Sequence, residues 1–280
     1  MATARLIWDP PASGAWNMAV DDALLQTAAD GQPLTLRFYQ WSAPTLSLGY
    51  FQRAVDRVRH APSTGCVAVR RATGGGAILH DRELTYSLVI PWHAMPRRPA
   101  IEWYQVAHQA LIHTLDSWQV PAYLCPQTDA TRERRFLCFQ RRARGDVLMD
   151  AAAVVAQQTG RGGTPPAEPS RWPDPRIDDD VTTTRTVKIA GSAQRRRRDA
   201  LLQHGSVLLD QSCHAPELPG ILQMAQRPCD RKRLGESWAA EIASEIGVCW
   251  RIGNLTRAEH KLAERLEATR YADSKWTLKR

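Results

Sequence analysis

Arg70-Arg71-Ala72-Thr73-Gly74-Gly75-Gly76-Ala77-Ile78-Leu79-His80-Asp81 runs directly into Arg82-Glu83-Leu84-Thr85-Tyr86-Ser87, and both flanks of its glycine triplet read as strand. Val67 to Arg71 and Ala77 to Leu79 carry the short apolar and β-branched pattern of strands, and another such run extends from Thr85 to Ile90. Three successive glycines let the backbone approach a ligand closely. Their N–H groups can form an anion-binding nest beside the guanidinium groups of Arg70 and Arg71. That composition suits a phosphate or a developing oxyanion; read locally, it also suits a glycine-rich hairpin between solvated arginines. No Gly-Lys-Ser/Thr follows, which excludes a P-loop, and the GxGxxG dinucleotide pattern is absent.

Working outward, Gly14 to Ala29 is helix-compatible and stops at Asp30-Gly31, while Thr35 to Tyr39 and Thr45 to Leu48 read as two strands around the turn Ser42-Ala43-Pro44. Downstream, Val106, Ala110, Leu111 and Leu115 fall at helical spacing within Ile101 to Trp118. Strands followed by a helix predict an α/β fold, specifically a mixed sheet with flanking helices. Residues 151–183 break the pattern with Gly160-Arg161-Gly162-Gly163, Pro165-Pro166, Pro169, Pro173, Pro175 and Asp178-Asp179-Asp180, the composition of a flexible insertion. Beyond it, Thr186 to Ala190 and Gly205 to Leu209 are strand candidates. The extension 215–280 reads as helical, with a Thr256/Glu259 capping box opening its clearest helix. The whole of 1–280 is thus expected to be one large domain with a flexible insertion at 151–183 and a helical tail.

Two further stretches carry reactive residues. In Val187-Lys188-Ile189-Ala190-Gly191-Ser192-Ala193-Gln194 a single lysine sits in an apolar strand and a small-residue turn is expected after it. An inward lysine needs a task, whereas an edge-strand lysine merely points to water. Gln203-His204-Gly205-Ser206 is expected as the turn before the next strand. Cys138 lies in Arg132-Glu133-Arg134-Arg135-Phe136-Leu137-Cys138-Phe139-Gln140-Arg141-Arg142. A thiol among fixed positive charges ionises more easily than one in apolar surroundings, so Cys138 is preferred as nucleophile over Cys66 and Cys249, with an inert cysteine as the alternative. The 6 cysteines form no CxxC pair and the 8 histidines no zinc signature, so neither a disulfide framework nor a metal is expected. The 10 tryptophans are spread along the chain as packing residues.

With 280 residues, 43% hydrophobic and 24% charged, the chain has a globular composition, and its +8 net charge asks for an acidic partner. Six arginines against one glutamate in 131–144, together with Arg195 to Arg198, account for more than that whole net charge. Both basic segments are expected beside the chemistry. No nucleic-acid motif accompanies them, and no apolar run reaches the roughly 20 residues of a membrane span. The start lacks a signal-peptide pattern, so a cytoplasmic location is expected.

Taken in order, RRATGGGAILHDRELTYS, Cys138-Phe139 and VKIAGSAQRRRRDALLQHGSVLL resemble the biotin/lipoate protein ligase and octanoyltransferase superfamily. The resemblance extends from Asn17-Met18-Ala19-Val20-Asp21 to Leu255-Thr256 through Trp276, omitting 151–183. It implies the catalytic-domain fold of that superfamily. Among its activities it is similar to the cysteine-dependent octanoyltransferases, since Arg82-Glu83-Leu84-Thr85 stands where ligases usually have Gly-Asn and no cysteine follows the lysine strand before Leu209. The resemblance implies transfer of an octanoyl group from acyl carrier protein to a lysine of a lipoyl domain, such as the glycine cleavage H protein or a dehydrogenase E2 subunit. It implies Cys138 and Lys188 as catalytic residues. Substrate-binding roles fall on Arg70, Arg71, Thr73, Gly74, Gly75, Gly76, His80, Gly191, Ser192, Ala193, His204 and Gly205. No cofactor is implied for the transferase; ATP and Mg2+ belong to the alternative, a lipoate-protein ligase, and a lipoyl-domain amidotransferase is a further alternative.

Overall fold

The computed structural model describes residues 2–95, 98–128, 135–150 and 186–280, so the expected insertion at 151–183 lies outside the described residues. In chain order the main elements are β1 (Ala2–Trp8), α1 (Gly14–Thr27), β2 (Thr35–Tyr39), β3 (Thr45–Leu48), β4 (Val67–Arg70), β5 (Ile78–His80) and β6 (Glu83–Pro91). They continue with α2 (Ala100–Ser117), β7 (Tyr123–Leu124), β8 (Val147–Asp150), β9 (Thr186–Arg197), β10 (Ala200–Leu208), α3 (Arg231–Ile246), β11 (Val248–Ile252) and α4 (Arg257–Leu266).

Among the described residues, eight strands form a mixed sheet in the order β11-β1-β2-β6-β10-β9-β8-β7, and β4-β3-β5 form a second, smaller sheet. β6 and β10 are buried along their whole length because helices cover both sheet faces. Their side chains alternate accordingly. Leu88, Ile90, Leu201 and Val207 pack with Trp103 and Leu111 of α2 and Trp238 of α3. Val89, Ala200 and Leu202 pack with Met18, Leu24 and Leu25 of α1 and with Ala263 and Leu266 of α4. The mixed sheet with flanking helices is the expected fold class.

α1 begins where Ser13 Oγ accepts from Trp16 N, and the following turn ends at Gly31 with φ +85°, a backbone conformation glycine adopts without strain. Thr256 and Glu259 form the expected capping box at the start of α4. The nine described tryptophans are all buried or half-buried, as packing residues should be.

Three expectations about local structure need correction. Gly191-Ser192-Ala193-Gln194 is not a turn, nor is Gln203-His204-Gly205-Ser206; both lie inside paired strands, with His204 opposite Ala193 and Gly205 opposite Ser192. Small residues read as turn formers, yet here they let two backbones close up, for a side chain on Gly205 would meet Ser192 and the Gly191 carbonyl. The segment after residue 215 is not wholly helical, because Val248-Cys249-Trp250-Arg251-Ile252, bounded by Gly247 and Gly253, is β11 and pairs in parallel with β1. Finally, the glycine triplet is not a hairpin tip. β4 pairs with β3 in parallel and β5 pairs with β3 antiparallel, so the loop from Arg71 to Ala77 crosses over β3 and is thrown toward the main sheet.

Candidate active site

Cys138 opens a single 3-10 turn, Cys138–Gln140, that is clamped to the end of the glycine loop. Ala77 N donates to Phe136 O at 3.1 Å and Cys138 N donates to Ala77 O at 2.7 Å. A side chain at Gly76 would lie 3.0 Å from Cys138 N and 3.1 Å from its Cα, and would also strike the Arg141 guanidinium. Glycine at 76 is therefore what allows the loop, Cys138 and Arg141 to share one place.

Lys188 reaches the sulfur from β9. The pairing of β8 with β9 slips between Val147 and Leu148, a bulge that re-aims the lysine side chain. Its Nζ donates to Cys138 Sγ at 3.5 Å and lies 2.8 Å from Asp146 Oδ2. Lysine and carboxylate are both buried, whereas Cys138 is partly open to solvent. Burial works against the charge on Lys188, but Cys138 and Asp146 outweigh it and hold the ammonium's pKa above the ordinary lysine value. Asp146 is fixed in turn by Ala143 N, donating at 2.6 Å, and by the Tyr104 hydroxyl, donating at 2.8 Å. A side chain on Gly191 would stand 2.6 Å from Lys188 Nζ and 3.1 Å from Asp146 Oδ1, so that glycine leaves the room the ammonium occupies.

Arg71 shapes the glycine loop from inside. Its Nη2 donates to Gly74 O at 2.8 Å and Gly76 O at 2.6 Å, and Nη1 to Ser47 O at 2.9 Å. Burial brings its pKa down to about 10, against the pull of Cys138. With the carbonyls drawn toward Arg71 and Gly75 at φ +92°, the N–H groups of Gly74, Gly75 and Gly76 donate no backbone hydrogen bond among the described residues. Such N–H groups beside a nucleophile can receive a developing oxyanion.

A small cavity of about 20 Å³ lies beside Arg71, lined by Met18, Ile78, His80, Ala193, His204 and Gly205, among others. Its polar lining residues spend their hydrogen bonds on side chains around the cavity, chiefly Thr73, Asp21 and Glu83. His204 shares bonds with Thr73 Oγ1 at 2.7 Å and with Asp21 Oδ2 at 2.8 Å, and Asp21 is paired with Arg37 at 2.8 Å. His80 shares bonds with Ser47 Oγ at 2.7 Å and Glu83 Oε1 at 2.5 Å, while its ring stacks on Trp41. Burial lowers the His80 pKa, although Glu83 opposes the shift. The cavity therefore offers mostly carbon faces. With about 20 Å³ of free space it has room for little more than one water molecule, so a ligand entering between these faces has to part them.

Of the residues expected at the site, Cys138, Lys188, Gly76 and Gly191 meet directly, and Arg71, Thr73, Gly74 and Gly75 form the adjoining loop. His80, Ala193, His204 and Gly205 line the cavity. Two lie elsewhere. Arg70 is buried with its guanidinium on the carbonyls of Gly49, Gln52 and Thr277, so it braces the loop's base. Ser192 Oγ bonds to Tyr86 and His108. The Arg195 to Arg198 segment also divides: Arg195 turns to Ala72 O at 2.7 Å, whereas Arg196 borders an opening with Trp92 and Pro99, and Arg197 faces the end of α1. Cys249, expected in apolar surroundings, is exposed. The sequence reading missed Asp146, Tyr104, Asp21 and Arg141 as site residues. Asp146 had a signal, a carboxylate abutting the apolar run Val147-Leu148-Met149, since a buried lysine needs a buried counter-charge.

Among the described residues there is no group of three metal-binding side chains, and no helix is long and apolar enough to cross a membrane. Residues 13–233 match the family described as "Lipoyl protein ligase A/B catalytic domain". The chain is 30% identical to a protein of Brevibacillus brevis named octanoyltransferase LipM, with 99% of each covered. It is 31% identical to one of the same name from Kyrpidia tusciae, with 98% of each covered. In fold it is similar to a bi-partite lipoate protein ligase of Thermoplasma acidophilum, solved in a study that includes its E2 lipoyl domain (TM-score 0.68, 17% identity, 99% and 97% covered). It is equally similar to lipoate-protein ligase A bound with ATP (TM-score 0.68, 19% identity, 99% of each covered).

Proposed function

Because the chain belongs to the lipoyl protein ligase A/B catalytic domain family, we propose that it is an octanoyltransferase that carries the acyl group on Cys138, taking it from octanoyl-acyl carrier protein and giving it to a lysine of a lipoyl domain. The observation that carries this reading is the buried Lys188 ammonium donating to the sulfur of Cys138, a thiol partly open to solvent. An ammonium held there is placed to stay beside the sulfur as it attacks and again as it leaves.

In the first half-reaction the Cys138 sulfur attacks the thioester carbonyl. The oxyanion is received by N–H groups of Gly74 to Gly76, each well-aimed donor contributing about 3 kcal/mol. As the tetrahedral adduct collapses, the carbon–sulfur bond to the carrier breaks and its thiolate leaves, taking a proton from solvent. The octanoyl chain enters between Ile78, Met18 and Gly205, parting the walls of the small cavity there. In the second half-reaction the deprotonated amine of the acceptor lysine attacks the Cys138 thioester. The amide forms, the Cys138 thiolate is released against Lys188, and the amine's surplus proton passes to water. A thioester already carries the activation that a ligase obtains from ATP, so this route needs no nucleotide, metal or other cofactor. Acidic carrier and lipoyl domains also fit the basic segment in which Cys138 lies.

Mixing the protein with octanoyl-acyl carrier protein and a lipoyl domain, without ATP, is expected to octanoylate the domain. Strict dependence on ATP and free lipoate would assign the chain to the ligases instead. Within the same assay, Gly191→Ala is expected to slow transfer on the order of 10²-fold, because the new methyl displaces the Lys188 ammonium and misplacements of about an ångström cost that much. An unchanged rate would show that the lysine's position is immaterial.

A further inference from the structure

Tyr50 stands at the outer edge of the glycine loop, its N–H donating to Thr73 O at 2.8 Å, and cations gather on its ring. Lys279 Nζ lies 3.7 Å from the Tyr50 centroid and 3.4 Å from that of Trp276. The guanidinium of Arg280 is 5.4 Å from the Tyr50 centroid and that of Arg195 5.9 Å. None of these three cations has an Asp or Glu partner among the described residues, whereas the neighbouring Arg270 is paired with Asp22 at 2.8 Å, and the backbone oxygen of Arg280 is held by Ala54 N at 2.7 Å. Burial, together with Arg70, Arg280, Arg270 and Arg195, brings the Lys279 pKa down to about 8. Like charges gathered around one aromatic ring repel one another, and an anion placed among them would relieve that repulsion.

The position of the cluster says which anion. Arg195 Nη1 is bonded to Ala72 O, at one end of the glycine loop, and Gly76 at the other end touches Cys138. Four Cα steps separate Ala72 from Gly76, so the two ends are at most about 15 Å apart. A group bound at Tyr50 and a sulfur reacting at Cys138 are therefore within the span of one extended arm lying along the loop. We propose that Arg195, Lys279 and Arg280 form a subsite for the phosphodiester at the base of the donor's pantetheine arm, an inference that rests on the octanoyltransferase reading above. The subsite holds the arm's anionic end while the glycine loop receives the thioester.

The test compares two small donors that differ by that phosphate alone, octanoyl-phosphopantetheine and octanoyl-pantetheine, in single-turnover acylation of Cys138. The intact protein is expected to use the phosphorylated donor with a kcat/KM higher by ~10-fold or more, the scale of charge-assisted hydrogen bonds. That ratio should fall to near one in Lys279→Ala/Arg280→Ala, which leaves the Arg195 bond to Ala72 in place, and in the same variant with Arg195→Gln added. Equal use of both donors by the intact protein, or a preference that survives in the variants, would overturn the subsite while leaving the transferase standing. ATP binding that is lost in the double variant, without any donor preference, would overturn it by assigning the anion to a nucleotide. Failure of both donors and of octanoyl-acyl carrier protein to acylate Cys138 would remove the transferase reading itself.

Discussion

Replacing Cys138 by serine is expected to abolish octanoyl transfer, with the rate falling roughly 10³-fold or more in an assay of lipoyl-domain octanoylation. Serine keeps the size of the side chain and its bond from Cys138 N to Ala77 O, so the turn at 138–140 stays in place. What it removes is an atom that becomes a good nucleophile beside a fixed ammonium and a good leaving group when the acceptor amine attacks. Cys213→Ser, by contrast, alters an exposed thiol and should leave the rate unchanged. Cys229 is a poor competitor, because burial pushes its thiol up to about 11. A serine variant at 138 that retained activity would mean that the acyl group passes directly from carrier to acceptor.

Lys188→Met is expected to act on both catalysis and stability, by separable routes. The substitution leaves the Asp146 carboxylate buried without its cation, a break that costs about 3–5 kcal/mol and should lower the Tm by about 10 °C. At a temperature where the variant is still folded, transfer should be slower by roughly 10²-fold or more, since the sulfur has lost its ammonium. Combining Lys188→Met with Cys138→Ser should reduce the rate hardly further than Cys138→Ser alone, because the two residues act as a unit. Additive losses in that double variant would show that Lys188 serves the fold and not the thiolate.

The contrast between Lys188 and Asp146 shows what a linear reading can reach. Lys188 stood out as a lone lysine in the apolar run Val187-Lys188-Ile189-Ala190 and Cys138 as a thiol among arginines, but it was the resemblance, not the local pattern, that put the two in one site. Asp146 lies 42 positions from Lys188, across residues 151–183, and only pairing of β8 with β9 joins them. The histidine network is more distant still: His204 meets Asp21 across 183 positions, and no local pattern records that contact. Arg70 and Arg71 make the opposite point. Adjacent and identical in type, they read as one basic pair, yet strand alternation sends Arg71 into the loop carbonyls and Arg70 to the far side. The mixed sheet could be read from strand and helix periodicity, whereas β11 was hidden by the helices on either side of its five residues.

The central claim, a covalent acyl group on Cys138, is tested most directly by mixing the protein with octanoyl-acyl carrier protein alone, quenching in acid, and locating the adduct by peptide mass spectrometry. The expected result is one octanoyl group, labile to hydroxylamine, on the peptide carrying Cys138, which disappears when a lipoyl domain is added. An octanoylated lipoyl domain formed with no adduct on Cys138 at any time would contradict it.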